Sequence, residues 1–284
     1  MRLLESKEML QAENVFYYEE TDSTNTRAKE YAKSGGEAGS VFLAKSQTKG
    51  RGRHGRTWVS PNEGNLYFSI LLRPNISAQE ASMLTLIMGY AISLAIEEET
   101  GVLTQIKWPN DLVIAGKKVC GILTEMSAKT QSVEYVIIGA GINIGMESVA
   151  PEIQGMATSL KLEGMKSANA EKYTDKEEQI QSNANKQVEI EMSIQKLLAC
   201  ILQKFQEQYE IFLEDRDLRN IYKGYNDRLV NVGREVIILD GANEYTAKAE
   251  GINQQGELFI EKQDGVREAI RSGEVSVRGV YGYV

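Results

Sequence analysis

A basic, glycine-rich segment at residues 49–58 (KGRGRHGRTW) has the residue types that bind an anion. Residues 45–62 contain five Lys or Arg residues and no Asp or Glu, in a chain of net charge −8. Arginine can donate two parallel hydrogen bonds to a phosphate, and glycine lets backbone N–H groups approach it. A flexible RNA-binding loop is the alternative that composition alone leaves open. Trp58 and the strands predicted on either side favour an ordered loop that closes over a ligand.

A second polar cluster lies at residues 107–111 (KWPND). A residue before proline avoids the helical conformation, so Trp108-Pro109 predicts an extended break between two strands. The side chains of Asn110 and Asp111 can then orient backbone groups or hold a metal-bound water. An isolated cluster of this kind is more often a plain polar turn.

Lys118 begins a predicted strand that is otherwise largely apolar. Side chains alternate between the two faces of a strand, so Lys118 is expected to share a face with Cys120 and Ile122. A lysine on a buried face needs an anionic partner, whereas a lysine at the entry of a strand can extend its ammonium into water. Cys120 is more typical of a small core residue than of a nucleophile.

The hydrophobic pattern predicts the elements that must position these clusters. A capping motif at residues 22–25 and a glycine pair at 35–36 predict a helix at residues 26–33, and apolar residues at helical spacing predict helices at 79–99 and 194–213. Short apolar runs predict strands at residues 41–44, 65–73, 106–108, 112–114, 118–126 and 133–138. The last of these strands is expected to end in a glycine-bearing segment at residues 139–143, and residues 161–187 predict a long polar surface excursion. Short β-rich pieces at residues 234–239, 245–252, 257–262, 267–270 and 274–280 predict a small antiparallel barrel.

The overall composition narrows the function classes. An acidic chain with a pI of about 5.1 argues against general affinity for nucleic acid or for anionic membranes. Two cysteines and one histidine argue against a disulfide framework and against a His-rich or zinc site. Residues 1–14 have no apolar signal region, and no apolar run of membrane-spanning length is evident. We therefore expect a cytoplasmic protein without a membrane partner.

Taken in order along the chain, these clusters closely resemble the biotin–protein ligase family. The matching residues are Ser23, Thr24, Asn25, Gln47, the loop at 50–56, the cluster at 107–111, Lys118, Gly121, Ile122, Leu123, Glu125 and the segment 139–143. Residues 234–278 look like the SH3-like C-terminal domain of that family. The resemblance implies an α+β fold with two domains, a class II synthetase-like catalytic domain at 1–228 with helices on a mixed sheet, and a β-barrel at 229–284. The motif at 22–25 lies too near the start of the sequence to leave room for the DNA-binding domain of some relatives, so no DNA partner is expected.

The resemblance also implies roles for many of the matching residues. The biotin-binding residues would be Ser23, Thr24, Asn25, Gln47, Gly50, Arg51, Gly52, Arg53, Lys118 and Gly121. The ATP-binding residues would be Arg53, Arg56, Trp58, Lys107, Asn110 and Asn143. Lys118 and Arg53 would be catalytic, and Mg²⁺ accompanying ATP would lie near Asn110 and Asp111. His54 stands where the family often has arginine, which leaves the charge of that loop position open at neutral pH.

The implied activity is the adenylation of biotin by ATP, followed by transfer of biotin to one lysine of a biotin carboxyl carrier domain. The resemblance is compatible with either a monomer or a homodimer. A lipoate or octanoyl transferase of the same fold is the nearest alternative. A non-catalytic RNA-binding protein is a more distant one, because the chain is acidic and lacks the aromatic motifs of RNA-recognition domains.

Overall fold

Two β-sheets organise the chain, a large mixed sheet flanked by helices and a smaller antiparallel sheet after it. The computed structural model describes residues 15–62, 64–129, 132–149, 153–164, 182–240, 243–271 and 275–279. The helices in these ranges are α1 (Thr24–Lys33), α2 (Ala78–Ala81), α3 (Met83–Thr100), α4 (Ser182–Asp215) and α5 (Tyr222–Arg228). The strands are β1 (Val15–Thr21), β2 (Val41–Gln47), β3 (Leu66–Leu72), β4 (Gln105–Lys107), β5 (Asp111–Ile114), β6 (Lys117–Lys129), β7 (Ser132–Ile142), β8 (Glu235–Asp240), β9 (Asn243–Ile252), β10 (Leu258–Lys262), β11 (Arg267–Ile270) and β12 (Val275–Gly279).

The large sheet has the strand order β1-β2-β3-β7-β6-β5-β4. Its β1 and β2 run parallel, and its other neighbouring strands run antiparallel. The central strand β3 is buried on both faces, because successive side chains alternate between two cores. Phe68 and Ile70 belong to the core that includes α3 and α4, whereas Leu71 packs with Phe42 and Ala28 beneath α1. The sheet is therefore a middle layer between helices.

Helix α3 is apolar around most of its circumference, which is typical of a helix buried inside a protein. By length and composition, residues Ala78–Thr100 could cross a membrane, but 72% of that stretch is buried within the molecule. Core helices commonly pass this test, so the described residues contain no clear membrane span.

The small sheet has the order β11-β10-β9-β8-β12, with antiparallel pairing throughout. Its five strands agree with the five β-rich pieces expected for the C-terminal barrel. Together with the helix-flanked mixed sheet, they confirm the predicted α+β class.

Several predicted element boundaries were wrong. The predicted helix at residues 79–99 is divided into α2 and α3, and β1 and α5 were not predicted. Strand β7 does not end before its glycines but continues through Ile142. Helix α4 begins at Ser182, so the end of the predicted polar excursion is helical, while residues 165–181 lie outside the described residues. Outward-facing polar side chains on β1 (VFYYEET) obscured its strand character.

Candidate active site

A pocket opens on the α1 side of the large sheet, between the start of α1, the glycine-rich loop and strands β6 and β7. Its lining is Ser23, Thr24, Asn25, Gln47, Arg51, Gly52, Arg53, Trp58, Asn110, Lys118, Gly121, Ile122, Leu123, Gly139, Ala140 and Gly141. Eleven of these sixteen residues are among those expected from the sequence to bind biotin or ATP. The fold therefore brings together residues that are separated by up to 118 positions in the chain.

One end of the pocket is a hydrogen-bonded polar network. The Gln47 side-chain oxygen accepts the Thr24 backbone N–H at 2.8 Å, and the Gln47 amide nitrogen donates to the Ser60 hydroxyl at 2.9 Å. The buried Ser69 hydroxyl lies 2.7 Å from the Thr24 hydroxyl and 2.6 Å from Asn25 Oδ1. These contacts fix which way each side chain points, and a polar ring entering this end meets preoriented donors and acceptors.

Glycines on β6 and β7 form the floor of the pocket. A Cβ atom at Gly139 would lie 1.9 Å from Asn25 Oδ1, and a Cβ atom at Gly141 would lie 2.4 Å from Trp58 Nε1. A Cβ atom at Gly121, which is paired with Gly141, would approach the Trp58 ring to 2.9 Å. The absence of side chains at these positions is what lets Asn25 and Trp58 lie against the sheet.

Lys118 supplies a cation at the other end of the pocket. Its Nζ lies 2.6 Å from Asp111 Oδ1 and 5.1 Å from the centre of the Trp58 ring. Lys118 Nζ would also lie 3.0 Å from a Cβ at Gly121, so the side chain extends over that glycine. The lysine therefore has the anionic partner that a mostly buried ammonium requires.

The predicted strand face of Lys118 was wrong. The register between β5 and β6 shifts so that Leu112 pairs with Cys120 while Val113 pairs with Lys118, which leaves Val119 as an extra residue. Such a bulge breaks the simple alternation of side chains. Lys118 consequently extends toward Gly121, whereas Cys120 is fully buried in the core, and its burial raises the pKa of the thiol.

The glycine-rich loop is a short hairpin over the pocket. The Trp58 N–H donates to the Gly50 carbonyl at 3.0 Å, and the Gly52 N–H donates to the Arg56 carbonyl at 2.7 Å. The side chain of Arg53 reaches from this hairpin to Asn110, donating to its Oδ1 at 3.0 Å. Burial lowers the pKa of the Arg53 guanidinium, the nearby Arg56 lowers it further, and Asp111 raises it. A partly buried arginine that lines a pocket is suited to an anionic ligand.

Trp108 does not face the pocket. Its side chain is buried, and its indole N–H donates to the Gly256 carbonyl in the C-terminal sheet region at 3.1 Å. Its backbone N–H donates to Asn231 Oδ1 at 3.0 Å. Asn110, two residues further along, donates from Nδ2 to the Ile122 carbonyl at 3.0 Å. The 107–111 turn is thus fixed from one side by the C-terminal segment and from the other by β6.

Comparison with known proteins agrees with this geometry. Residues 17–143 match the Biotin/lipoate A/B protein ligase family, and residues 232–278 match the Biotin protein ligase C terminal domain. The biotin–[acetyl-CoA-carboxylase] ligase of Paracoccus denitrificans is 31% identical over 265 residues, covering 91% of this chain and 98% of that protein. The chain belongs to the biotin protein ligase family.

Two further relatives support the assignment of the chain to this family. The bifunctional ligase/repressor BirA of Bacillus subtilis is 30% identical over 266 residues, covering 92% of this chain and 74% of that protein. The structure of the biotin protein ligase from Aquifex aeolicus in complex with biotin and ATP has a TM-score of 0.72 and 32% identity. It covers 94% of this chain and 99% of that one. The fold and the family therefore agree over nearly the whole length.

Some of the expected ligand-binding residues lie outside the lining of the pocket. They are Gly50, Arg56, Lys107 and Asn143. A Cβ atom at Gly50 would lie 2.2 Å from the Trp58 carbonyl oxygen, so this glycine is required by the hairpin itself. Asn143 donates from Nδ2 to the Thr158 carbonyl at 3.0 Å and so fixes the neighbouring segment. The ligand-binding roles of these four residues remain predictions.

Sequence reasoning missed Ser69, and it assigned no ligand-binding role to Gly139 or Glu125, although both belong to the motifs that match the family. Ser69 was visible as a lone hydroxyl within the apolar run of β3 (LYFSILL), which is the pattern of a buried polar group with a specific partner. Glu125 accepts a hydrogen bond from Asn25 Nδ2 at 2.9 Å. That contact joins residues 100 positions apart, which spacing along the chain does not reveal.

Proposed function

We propose that the chain activates biotin with ATP to biotinyl-AMP and transfers biotin to a lysine of a carrier protein. The observation that carries the proposal is one pocket with a preoriented polar network at Thr24 and Gln47 and the Lys118–Asp111 pair at its other end. The network suits the uncharged polar ring of biotin, and the cation suits its carboxylate. A relative of the same fold binds both biotin and ATP.

The first reaction joins two anions, so its main obstacle is electrostatic. A carboxylate oxygen of biotin attacks the α-phosphorus of ATP, and the bond from that phosphorus to the pyrophosphate oxygen breaks. Lys118 and Arg53 are the pocket cations suited to neutralising charge that builds on the phosphoryl oxygens. Because the pocket preorganises these groups, little reorganisation is needed as the reaction proceeds.

The second reaction is attack of a carrier lysine on the carbonyl carbon of the mixed anhydride, with AMP leaving. The attacking amine must be neutral and must lose a further proton as the amide forms. The phosphate oxygen of the departing AMP can accept that proton, since Asp111 is already paired with Lys118 at 2.6 Å. A hairpin over the pocket excludes the water that would otherwise hydrolyse the intermediate.

The 107–111 turn also has the ligand types that suit Mg²⁺. Asn110 and Asp111 present adjacent oxygen donors, which are the hard ligands that this ion prefers. Asn110 Oδ1 contacts Arg53, and Asp111 Oδ1 contacts Lys118. Mg²⁺ bound with ATP would therefore lie beside these two cations. The ion would neutralise phosphate charge there.

The remaining assignments follow from this function. We propose that residues 1–228 form the catalytic domain and residues 229–284 the SH3-like domain, and that the site residues expected from the sequence serve biotin and ATP as stated. The biotin protein ligase family acts in general on biotin carboxyl carrier domains, and we propose such a domain of a carboxylase as the partner, in the cytoplasm.

Mass spectrometry of the carrier tests the proposal. A biotin carboxyl carrier domain is incubated with the enzyme, ATP, Mg²⁺ and either biotin, lipoate or octanoate. Of the three acids, only biotin should modify the carrier, by one biotinyl group per molecule. A carrier whose acceptor lysine is replaced should remain unmodified. Modification by lipoate or octanoate instead would assign the chain to the other branch of the Biotin/lipoate A/B protein ligase family.

A further inference from the structure

Glu125 lies at a junction between the polar end of the pocket and the glycine-rich loop. Its carboxylate accepts a hydrogen bond from Asn25 Nδ2 at 2.9 Å and forms an ion pair with Arg51 at 3.2 Å. Lys29, on α1, lies 3.8 Å away from the same carboxylate. The Glu125 side chain is only 18% exposed, whereas Arg51 and Lys29 are 47% and 40% exposed, so a mostly buried carboxylate meets two cations at the edge of the solvent.

The first consequence concerns the Asn25 amide. Its Nδ2 donates to Glu125 and to the Leu123 carbonyl, while its Oδ1 accepts from the Ser69 hydroxyl. A carboxylate can only accept a hydrogen bond, so Glu125 fixes the amide with its nitrogen toward β6 and its oxygen toward β3. Without that acceptor, the amide loses one of the hydrogen bonds that hold it in this orientation.

The second consequence concerns the loop. Arg51 lies between two glycines, Gly50 and Gly52, and its ion pair with Glu125 attaches the hairpin to β6. Arg53, two residues further, attaches it to the 107–111 turn through Asn110. The loop is thus fixed over the pocket at two points, and one of them is the carboxylate that also orients Asn25.

We propose that Glu125 is a positioning residue that couples ligand recognition at Asn25 to closure of the loop through Arg51. The inference rests on the proposed function, because it concerns how the same pocket retains biotin and biotinyl-AMP. When the loop opens, Lys29 remains close enough to keep the carboxylate paired. A ligand that holds Asn25 in place would also hold the Glu125 carboxylate, through its hydrogen bond with Asn25, in the position in which it pairs with Arg51.

The test is Glu125→Gln, which removes the charge and keeps the shape. We expect the dissociation constant for biotin to rise about tenfold or more, the scale for losing a charge-assisted contact. The rate of adenylation at saturating biotin should stay within about threefold of wild type, because Lys118 and Arg53 are unchanged. Trypsin cleavage at Arg51 and Arg53, suppressed by saturating biotin in the wild type, should persist in the variant.

Glu134→Gln is the matched control, since this carboxylate on β7 bonds Ser127 and Lys129, which lie outside the pocket lining. Its biotin affinity and loop protection should equal those of the wild type. Combining Arg51→Gln with Glu125→Gln should weaken loop protection no further than Arg51→Gln alone. Should Glu125→Gln fail to fold, Glu125→Asp decides by the same measurements, because it keeps the charge and shortens the reach to Arg51.

The proposal is overturned if Glu125→Gln binds biotin and protects the loop as well as the wild type does. It is equally overturned if affinity and rate fall together while loop protection is intact, which is the signature of a merely structural role. Wild-type protein assayed in parallel separates the two claims. Failure of the wild type to form biotinyl-AMP contradicts the proposed function, whereas an active wild type beside an unaffected variant contradicts only the role of Glu125.

Discussion

Single residues carry the chemistry of this pocket, and their types were largely evident from the sequence. Lys118 and Arg53 were predicted as cations for an anionic ligand, and both line the pocket. What the sequence could not give was the direction of Lys118, because one extra residue in β6 changes the alternation of faces. A bulge depends on how two strands pair, so it cannot be predicted from the residue types of one strand.

His54 is the residue whose protonation can be followed without ambiguity, because it is the chain's single histidine. Partial desolvation lowers the pKa of its imidazole below 6.5, and the charges of Arg53 and Arg56 lower it further, which favours the neutral form. Since the folded state binds the proton less readily than the unfolded chain, stability falls as the pH drops through 6.5 toward the folded pKa.

NMR titration of the His54 imidazole measures this directly. We expect a midpoint below 6.5 in the folded protein and about 6.5 in the urea-unfolded chain, the value for an unperturbed histidine. Adding ATP should raise the folded midpoint, because nearby phosphates stabilise the imidazolium. A folded midpoint at or above 6.5 without ligand would show that the two arginines do not act on His54 as described.

At the scale of elements, hydrophobic spacing located most helices and strands but misjudged the glycines of β7. Glycines after a strand usually signal a turn, yet Gly139 and Gly141 lie inside the strand. They are there because Asn25 and Trp58 occupy the space that side chains would fill. That requirement comes from α1 and the loop, which are distant in sequence, so local pattern could not supply it.

Gly141→Ala should displace the Trp58 indole, since the new Cβ would lie 2.4 Å from Nε1. Overpacking of this kind typically costs about 1–3 kcal/mol, and displacing the indole removes it from the ligand pocket. We therefore expect the dissociation constant of a non-hydrolysable biotinyl-AMP analogue, measured by calorimetry, to rise about tenfold or more. Gly89→Ala is the control, because its Cβ would meet Ile122 at an ordinary 3.5 Å. Equal affinities for the two variants would mean that Trp58 does not need its position against Gly141.

At the scale of the whole molecule, the C-terminal region contacts the 107–111 turn through Trp108, on the side away from the pocket. The sequence predicted both parts of the chain, but not the contacts that join them. Trp108 bonds Asn231 and Gly256, which are 123 and 148 positions away, and its indole is buried between the two regions. The cluster at 107–111 therefore has two roles, because Trp108 contacts the C-terminal region while Asn110 lines the pocket.

Asn231→Ala removes the acceptor of the Trp108 backbone N–H and should destabilise the fold. Leaving a buried donor unpaired costs about 1–3 kcal/mol, which lowers the melting temperature by several degrees in a chain of this size. The KM for ATP should also rise, because Asn110 and Asp111 lie only two and three residues after Trp108. Asn220→Ala, at an exposed amide that bonds Gln208, should change neither quantity. An unchanged melting temperature for Asn231→Ala would contradict this linkage.

The central claim is that this pocket adenylates biotin by neutralising charge at Lys118. Single-turnover formation of biotinyl-AMP, quantified by mass spectrometry after mixing enzyme with biotin, ATP and Mg²⁺, tests it most directly. Wild type should form the adenylate, and Lys118→Ala should form it roughly 100-fold more slowly, the scale for losing one preorganised electrostatic donor. Adenylate formation at the wild-type rate by Lys118→Ala, or none by the wild type, would contradict the account.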